Sequence, residues 1–197
     1  MAYPSVSAPY GLVPVNRLDG LPFAGATRQY KIASGYATSI FNGDAVKLVT
    51  GGTVERDAAD AAMTPVGVFL GCSYTDPVLK YKVFSQYYPA STVASDIEAY
   101  VCDDPNVVFK VAVVSSGTTI GDLAQTDLGA NVAMVDNTGD SNTGKSAIAA
   151  SDTSATTNTL PLRIVGLVEE TKNSSGGYTE ALVKWNAGHQ FNNTTGV

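Results

Sequence analysis

PVGVFLGCSY, residues 65–74, is the stretch of sequence that decides the fold class. In an extended chain the side chains alternate between two faces, so every second residue shares a face. One face of this stretch carries Val66, Val68, Leu70 and Cys72, and the other carries Gly67, Phe69, Gly71 and Ser73. The apolar face predicts a strand of the hydrophobic core, and the glycines predict that another backbone approaches it closely.

Short strands of the same kind recur from Thr27 onwards. Turn signals separate them at 42–44, 51–52 and 103–106, which read NGD, GG and DDPN. Charged residues make up only 15% of the chain, a composition that suits strands and turns better than long solvated helices. The sequence therefore predicts an all-β protein, a short-stranded β-barrel or β-sandwich. Its further strands are RQYKIA, YATSIF, DAVKLV, KYKVF, DIEAYV, VVFKVAVV, NVAMVD, SAIAA, LPLRIVGLVEE and YTEALVKW.

A weak internal echo relates the two halves of the chain. FNGDAVKLV and PVGVFLG in the first half resemble TIGDLAQTD and RIVGLVE in the second. Two related β-subdomains produce such an echo, and so do one sheet with internal pseudo-symmetry or a chance similarity. We expect a β-rich body over 26–186 with a sub-boundary near 115, followed by a polar C-terminal tail over 187–197.

The first 25 residues have a different composition from the body. Four prolines remove amide donors and favour extended backbone, which excludes a helix. The segment nevertheless has more apolar side chains than a solvated tail needs. We expect an extended N-terminal arm over 1–25 that lies on a partner, with a disordered or self-packed leader as the alternative. The partner-binding residues predicted on this arm are Tyr3, Tyr10, Leu12, Val13, Val15, Leu21 and Phe23.

Residues 139–146 read GDSNTGKS, which satisfies the phosphate-binding pattern G-x-x-x-x-G-K-[ST]. A phosphate loop needs a helix directly after it, because the helix N-terminus helps to bind the phosphates. The residues that follow, AIAASDTSATTNTLPL, are rich in Ser, Thr and Asn and lack apolar residues at helical spacing. The motif therefore predicts a surface loop, and we expect no nucleotide cofactor.

Other patterns of catalysis or metal binding are weak. The sole histidine, His189, lies beyond the last predicted strand, and Cys72 and Cys102 lack a second pair for zinc. Asp103 and Asp104 precede a proline, where a turn explains both carboxylates. We expect no enzyme activity, no catalytic residues, no cofactor and no metal site.

Charge and hydropathy limit the kinds of partner that the protein is expected to bind. The chain has 12 Lys and Arg against 18 Asp and Glu, a net charge of −6, which disfavours direct binding to nucleic acid. No segment approaches the roughly 20 apolar residues that span a bilayer, and the N-terminus lacks an export signal pattern. We expect neither membrane association nor export.

Several phrases of the sequence resemble a family of virion structural proteins of tailed bacteriophages, found often in marine phages. The likeness runs from about Met1 to Asn186. The strand phrases also resemble, more loosely, the β-rich decoration or cement proteins of phage heads. The phrases that carry the resemblance are SAPYGLVPVNRLDGLPFAGATRQYKI, YATSIFNGDAVKLV, PVGVFLGCSYTDP, FSQYYPA, AYVCDDPNVVFKV, LPLRIVGLVEET and YTEALVKWN.

The resemblance implies a non-enzymatic structural role on the capsid exterior. The implied partner is the major capsid protein, bound by a homo-oligomer, with a trimer favoured. The implied place of synthesis is the cytoplasm of the bacterial host. The alternative is a tail or head-fibre module that binds host surface glycans through the polar loops of 115–160.

Overall fold

The computed structural model describes residues 8–58, 61, 63–172, 178–186 and 188–192. The described residues form thirteen β-strands and two single 3-10 turns, Gln125–Asp127 and Gln190–Asn192. The all-β prediction is confirmed. The strands are β1 Val13–Arg17, β2 Arg28–Lys31, β3 Ala45–Leu48, β4 Val54–Arg56, β5 Gly67–Thr75, β6 Lys82–Ser85, β7 Glu98–Cys102, β8 Val107–Ser116, β9 Thr119–Ile120, β10 Asn131–Val135, β11 Ala149–Ala155, β12 Leu162–Leu167 and β13 Glu180–Trp185.

The second half of the chain forms a closed, five-stranded barrel, here called the C-terminal barrel. Its strands follow the order β8, β11, β10, β12 and β13, and β13 pairs with β8 to close the circle. The β8–β11 pair is parallel, and the other pairs are antiparallel. Closure matters because it leaves no unpaired sheet edge within the circle.

The first half forms a second sheet, here called the N-terminal sheet. Its strands follow the order β2, β7, β5, β3 and β4, with β6 added beside β5. A parallel bridge between Lys31, at the end of β2, and Thr53, just before β4, brings the two outer strands together. The N-terminal sheet therefore curls towards a barrel and is joined at this seam by one bridge.

The two halves share one topology. In chain order β2, β3, β4, β5 and β7 occupy the places of β8, β10, β11, β12 and β13, with the same neighbours and the same strand directions. Equivalent strand pairs in the two halves, β5–β7 and β12–β13, also have a bulge at the same point. It lies at Phe69/Gly71 in β5 and at Ile164/Gly166 in β12. The halves are thus two related β-subdomains.

Hydrogen bonds give the register of this internal repeat. The amide of Gly43 donates to the carbonyl of Phe69, and the amide of Gly129 donates to the carbonyl of Ile164, the residue equivalent to Phe69. Gly43 therefore corresponds to Gly129. The structure repeats, but the register of the sequence echo, which aligned Gly43 with Gly121, is wrong. Gly121 directly follows β9, which has no counterpart among the described residues of the first half.

The two subdomains divide earlier than predicted. Residue 115 lies within β8, and the chain passes from one sheet to the other in the turn 103–106. The halves also share a core, because Ala45, Met63 and Val68 from the first half belong to the hydrophobic cluster inside the C-terminal barrel. The two sheets therefore pack on each other, although the N-terminal sheet also has a hydrophobic cluster of its own. The sub-boundary near 115 is corrected to 103–106.

The N-terminal segment belongs to the body from residue 8 onwards. β1 pairs antiparallel with β8, and Leu12 just before it is fully buried in the barrel core. The chain then folds back, so that the amide of Phe23 donates to the carbonyl of Val15. The prediction of a free arm is wrong for residues 8–23, because a proline-rich extended segment can also form the edge strand of a sheet, as β1 does beside β8. Residues 1–7 lie outside the described residues.

Part of the predicted C-terminal tail, residues 188–192, also contacts the body. The side chain of Gln190 accepts from the amide of Leu48 at 2.8 Å and donates to its carbonyl at 3.0 Å. Its backbone amide donates to the carbonyl of Pro65 at 2.9 Å. The residues after the last strand of the C-terminal barrel are therefore hydrogen-bonded to the N-terminal sheet at the end of β3.

Candidate docking surface at the β5–β6 hairpin

The turn between β5 and β6 is fixed by one carboxylate. Asp76 Oδ1 accepts hydrogen bonds from the amides of Val78 at 2.8 Å and Leu79 at 2.7 Å. These backbone donors lower the pKa of Asp76, so the carboxylate stays charged in neutral solution. The amide of Lys80, whose φ is 60°, donates to the carbonyl of Asp76 at 2.9 Å. The turn is therefore held in one conformation by its own backbone.

This ordered turn presents large apolar side chains to solvent. Val78 is 81% exposed and Phe84, in β6, is 73% exposed. Exposed apolar side chains that form a contiguous patch are typical of interaction sites. Leu79, Tyr81 and, from the loop 89–93, Val93 are exposed in the same way. The hairpin surface, as it is called below, consists of Val78, Leu79 and Val93, which line one cavity. Phe84 pairs with Ser73, so its side chain lies on the opposite face of the hairpin from Tyr74, which lines that cavity.

The loop 89–93 is ordered as well. The amide of Ser91, whose φ is 61°, donates to the carbonyl of Tyr36 at 2.7 Å, and Thr92 Oγ1 donates to the carbonyl of Pro89 at 2.8 Å. Between this loop and the β5–β6 turn lies an open cavity of about 570 Å³, lined mostly by apolar residues. Apolar groups on two fixed loops lose little conformational entropy when they are covered, so this surface is suited to docking.

The predicted arm residues divide between core and surface. Leu12 is in the barrel core, and Phe23 packs against it. The Tyr10 hydroxyl donates to the carboxylate of Glu180, and burial followed by this bond raises the pKa of Tyr10 far above its usual range. Leu12 and Tyr10 are therefore committed to this chain, which corrects their assignment to a partner. Val13, Val15 and Leu21 remain exposed, and Tyr3 lies outside the described residues.

The GDSNTGKS segment forms a loop that joins the two halves. The Ser146 hydroxyl donates to Asp44 Oδ1 at 2.6 Å, and both side chains are buried. Arg56 completes the link with ion pairs to Asp44 and to Asp136, which precedes the loop. Burial is the largest influence on the pKa of Asp44 and raises it, although Arg56 opposes the rise. The strand β11 follows the loop where a phosphate site needs a helix.

The remaining chemical candidates have structural environments. His189 is buried between the rings of Trp185 and Phe191, and burial lowers its pKa. It is therefore a core residue and not the solvated tail residue that its position suggested. The thiols of Cys72 and Cys102 are free and buried, and burial raises the pKa of each to about 12.

The carboxylates of the 103–106 turn are engaged in the fold. Asp103 accepts from the Tyr30 hydroxyl at 2.7 Å and pairs with Arg28 at 3.0 Å. Asp104 Oδ1 accepts from the amide of Asn106 at 2.9 Å. Within the part of the chain that the structure describes, no group of three or more His, Cys, Asp or Glu side chains could hold a metal ion, and no helix is long and apolar enough to cross a membrane.

The hairpin surface was missed at the level of sequence, where KYKVF was assigned only as a strand. The available signal was DPVLKY, residues 76–81, in which Asp-Pro starts a turn and two large apolar residues occupy it. Comparison of the chain with protein-family models, with curated proteins and with solved structures found no match. The site is therefore argued from its own geometry.

Proposed function

We propose that this protein is a non-enzymatic virion structural protein, a decoration or cement protein that binds the outside of a phage head. The observation that carries the proposal is the hairpin surface, where two ordered loops hold apolar side chains in solvent. Surfaces of this kind favour a protein partner, because covering them removes apolar area from water without ordering the loops anew. The resemblance to virion structural proteins supports the identity of that partner.

The major capsid protein is the proposed partner. A protein that binds assembled subunits, and not separated ones, stabilises the assembled state by mass action. An interface of standard size buries about 800 Å² on each partner. Large apolar side chains such as Val78, Leu79 and Val93 supply the central, water-free part of such an interface. The protein acts as a homo-oligomer, with a trimer favoured, around a symmetry axis of the shell.

The first test locates the protein in the particle. Gold-labelled antibodies against this chain, imaged on purified virions, should label the head over its whole surface. Labels confined to the tail would contradict decoration and support the glycan-binding fibre module. Virions without any label would contradict both proposals.

The second test addresses the hairpin surface itself. Leu79→Asp should abolish attachment to heads that lack the protein, because it places a charge at the centre of the apolar surface. The free energy of unfolding should change by less than about 0.5 kcal/mol, since Leu79 is exposed in the free protein. Ile120→Asp, at an exposed apolar position of the C-terminal barrel, is the matched control and should attach normally. Equal attachment of both variants would contradict docking through the hairpin.

A further inference from the structure

A second surface, polar and remote in sequence from the hairpin, borders the GDSNTGKS loop. It is an open groove of about 760 Å³ between the segment 8–10, the turn at Thr118 and the loop 138–147. Its volume lies within the range of roughly 300–1,000 Å³ that is usual for small-molecule sites. The motif singled out in the sequence therefore forms a wall of a pocket, although it does not form a phosphate loop.

The loop that forms this wall is fixed without a ligand. The amide of Asp140 donates to the carbonyl of Lys145 at 2.9 Å, and the amide of Gly144 donates to the carbonyl of Asp140 at 2.8 Å. The amide of Asn42 donates to the carbonyl of Gly144 at 3.0 Å, which anchors the loop to the N-terminal sheet. A ligand therefore meets a wall that is already ordered, and this lowers the entropic cost of binding.

Two charged side chains of the groove have no ion-pair partner within the described residues. Asp140 and Lys145 both line it, yet among the described residues neither makes an ion pair, with the other or with a third group. The Asp140 carboxylate is oriented, because its Oδ1 accepts from the amide of Asn142 at 2.9 Å. The hydroxyls of Thr118 and Thr138 add groups that both donate and accept.

These groups select the chemistry of the ligand. A carboxylate accepts hydrogen bonds, an ammonium donates them and threonine hydroxyls do both, so the set matches a compound with several adjacent hydroxyls. A phosphate or another strong anion is disfavoured by Asp140 and by the net charge of −6. Ala8 and Pro9 provide apolar lining for the carbon face of a ring. We propose that this groove is a saccharide-binding site in which sugar hydroxyls donate to Asp140 and accept from Lys145.

This site is independent of the proposed docking surface, and it is tested by NMR on the isotope-labelled full chain. The probes are glucose, galactose, mannose and N-acetylglucosamine, each at concentrations up to about 10 mM, which detects a Kd of about 1 mM. At least one sugar should shift the amides of 8–10, 118 and 138–147 and leave those of 76–93 unchanged. Absence of shifts with all four sugars, or shifts elsewhere only, would overturn the proposal.

Variants and a competing anion complete the test. Lys145→Met and Asp140→Asn should each weaken the sugar about tenfold or more, and the asparagine can still accept from the amide of Asn142. Lys31→Met, at an exposed lysine of β2, is the control and should bind normally. Unchanged affinity in both groove variants would overturn the assignment of the groups. Inorganic phosphate should cause no shifts there, and a phosphate response without a sugar response would make the groove an anion site instead.

Discussion

The two halves of this chain follow one topology but present different surfaces. In the N-terminal sheet, the connection from β5 to β7 contains β6 and an ordered apolar turn. The equivalent connection in the C-terminal barrel, from β12 to β13, reads VEETKNSSGGYT over 168–179 and has no counterpart of β6 among its described residues. The topology and the bulges of β5 and β12 are repeated in both halves, whereas β6 and its exposed apolar turn have no counterpart in the second half among the described residues.

The largest effect is expected from removing core volume at equivalent positions of the two halves. Phe69 and Ile164 occupy the same place in the two halves, and both are buried. We expect Phe69→Ala to reduce the free energy of unfolding by about 3–5 kcal/mol and Ile164→Ala by about 2–5 kcal/mol, because each leaves a cavity. Urea unfolding is followed by circular dichroism and by fluorescence of Trp185, the sole tryptophan.

The shared core predicts that both variants lower one common transition. Trp185 lies in the C-terminal barrel, so Phe69→Ala should shift the fluorescence midpoint as much as the circular dichroism midpoint. In the wild-type protein the fluorescence and circular dichroism midpoints should coincide, and the variants are compared with it. A fluorescence midpoint unaffected by Phe69→Ala would mean that the halves unfold separately.

The next effect concerns the two bulge glycines. Gly71 has a φ of +152°, and a Cβ placed on it would lie 3.0 Å from the carbonyl oxygen of Ser85. At Gly166 a Cβ would lie 3.3 Å from Leu182 Cδ1, the end of a flexible side chain. We expect Gly71→Ala to cost about 1–3 kcal/mol and Gly166→Ala less than about 1 kcal/mol. Urea midpoints measure both, and equal losses would show that the bulges are equally constrained.

The smallest effect comes from His189, which precedes Gln190 and its hydrogen bonds to the N-terminal sheet. Burial lowers the pKa of His189 below the value of 6.5 that it has in the unfolded chain, although the Asp103 and Asp104 carboxylates oppose this. The unfolded state therefore binds a proton more readily as the pH falls below about 6.5. The contribution of His189 to the free energy of unfolding is fully present above that pH. It is lost as the pH falls through the pKa that His189 has in the folded protein.

His189→Gln should remove this loss. We expect the difference in free energy of unfolding between wild type and variant to move in favour of the variant as the pH falls from about 7 to about 5, because only the wild-type histidine takes up a proton on unfolding. Taking the difference between the two proteins cancels the contribution of the carboxylates, because they titrate in both. A difference that is constant with pH would contradict the burial of an uncharged imidazole.

The sequence predicts the class of fold because its signals are local. Alternation in 65–74 and the turn signals predict strands, and the structure places β5 over this stretch. The predicted single apolar face is wrong, because β5 is buried on both faces and has a bulge at Phe69/Gly71. Val68 packs in the barrel core, whereas Val66 and Cys72 pack with Phe69 in the cluster of the N-terminal sheet. The internal echo was visible as well, but its register was not. The residues that define the register, Gly43 and Gly129, are related by hydrogen bonds to β5 and β12, and such long-range pairing has no local signature.

The candidate surfaces were harder to predict for the same reason. Proline and extended backbone suit both a free arm and a strand at a sheet edge, so Leu12 could be assigned to the core only once β8 was placed beside β1. The hairpin surface has apolar residues that resemble core residues in the sequence. Whether Val78 or Phe84 faces inwards depends on what packs over β6, and that is a tertiary fact.

The pairing of β1 with β8 has a consequence for synthesis on the ribosome. β1 leaves the exit tunnel long before β8, so Leu12 and its neighbours must wait in solvent while the whole N-terminal sheet is made. Such a delay exposes an apolar segment to other nascent chains. The prolines at 9, 14 and 22 fit this interval, because a segment with missing amide donors is a poor template for mispairing with another strand.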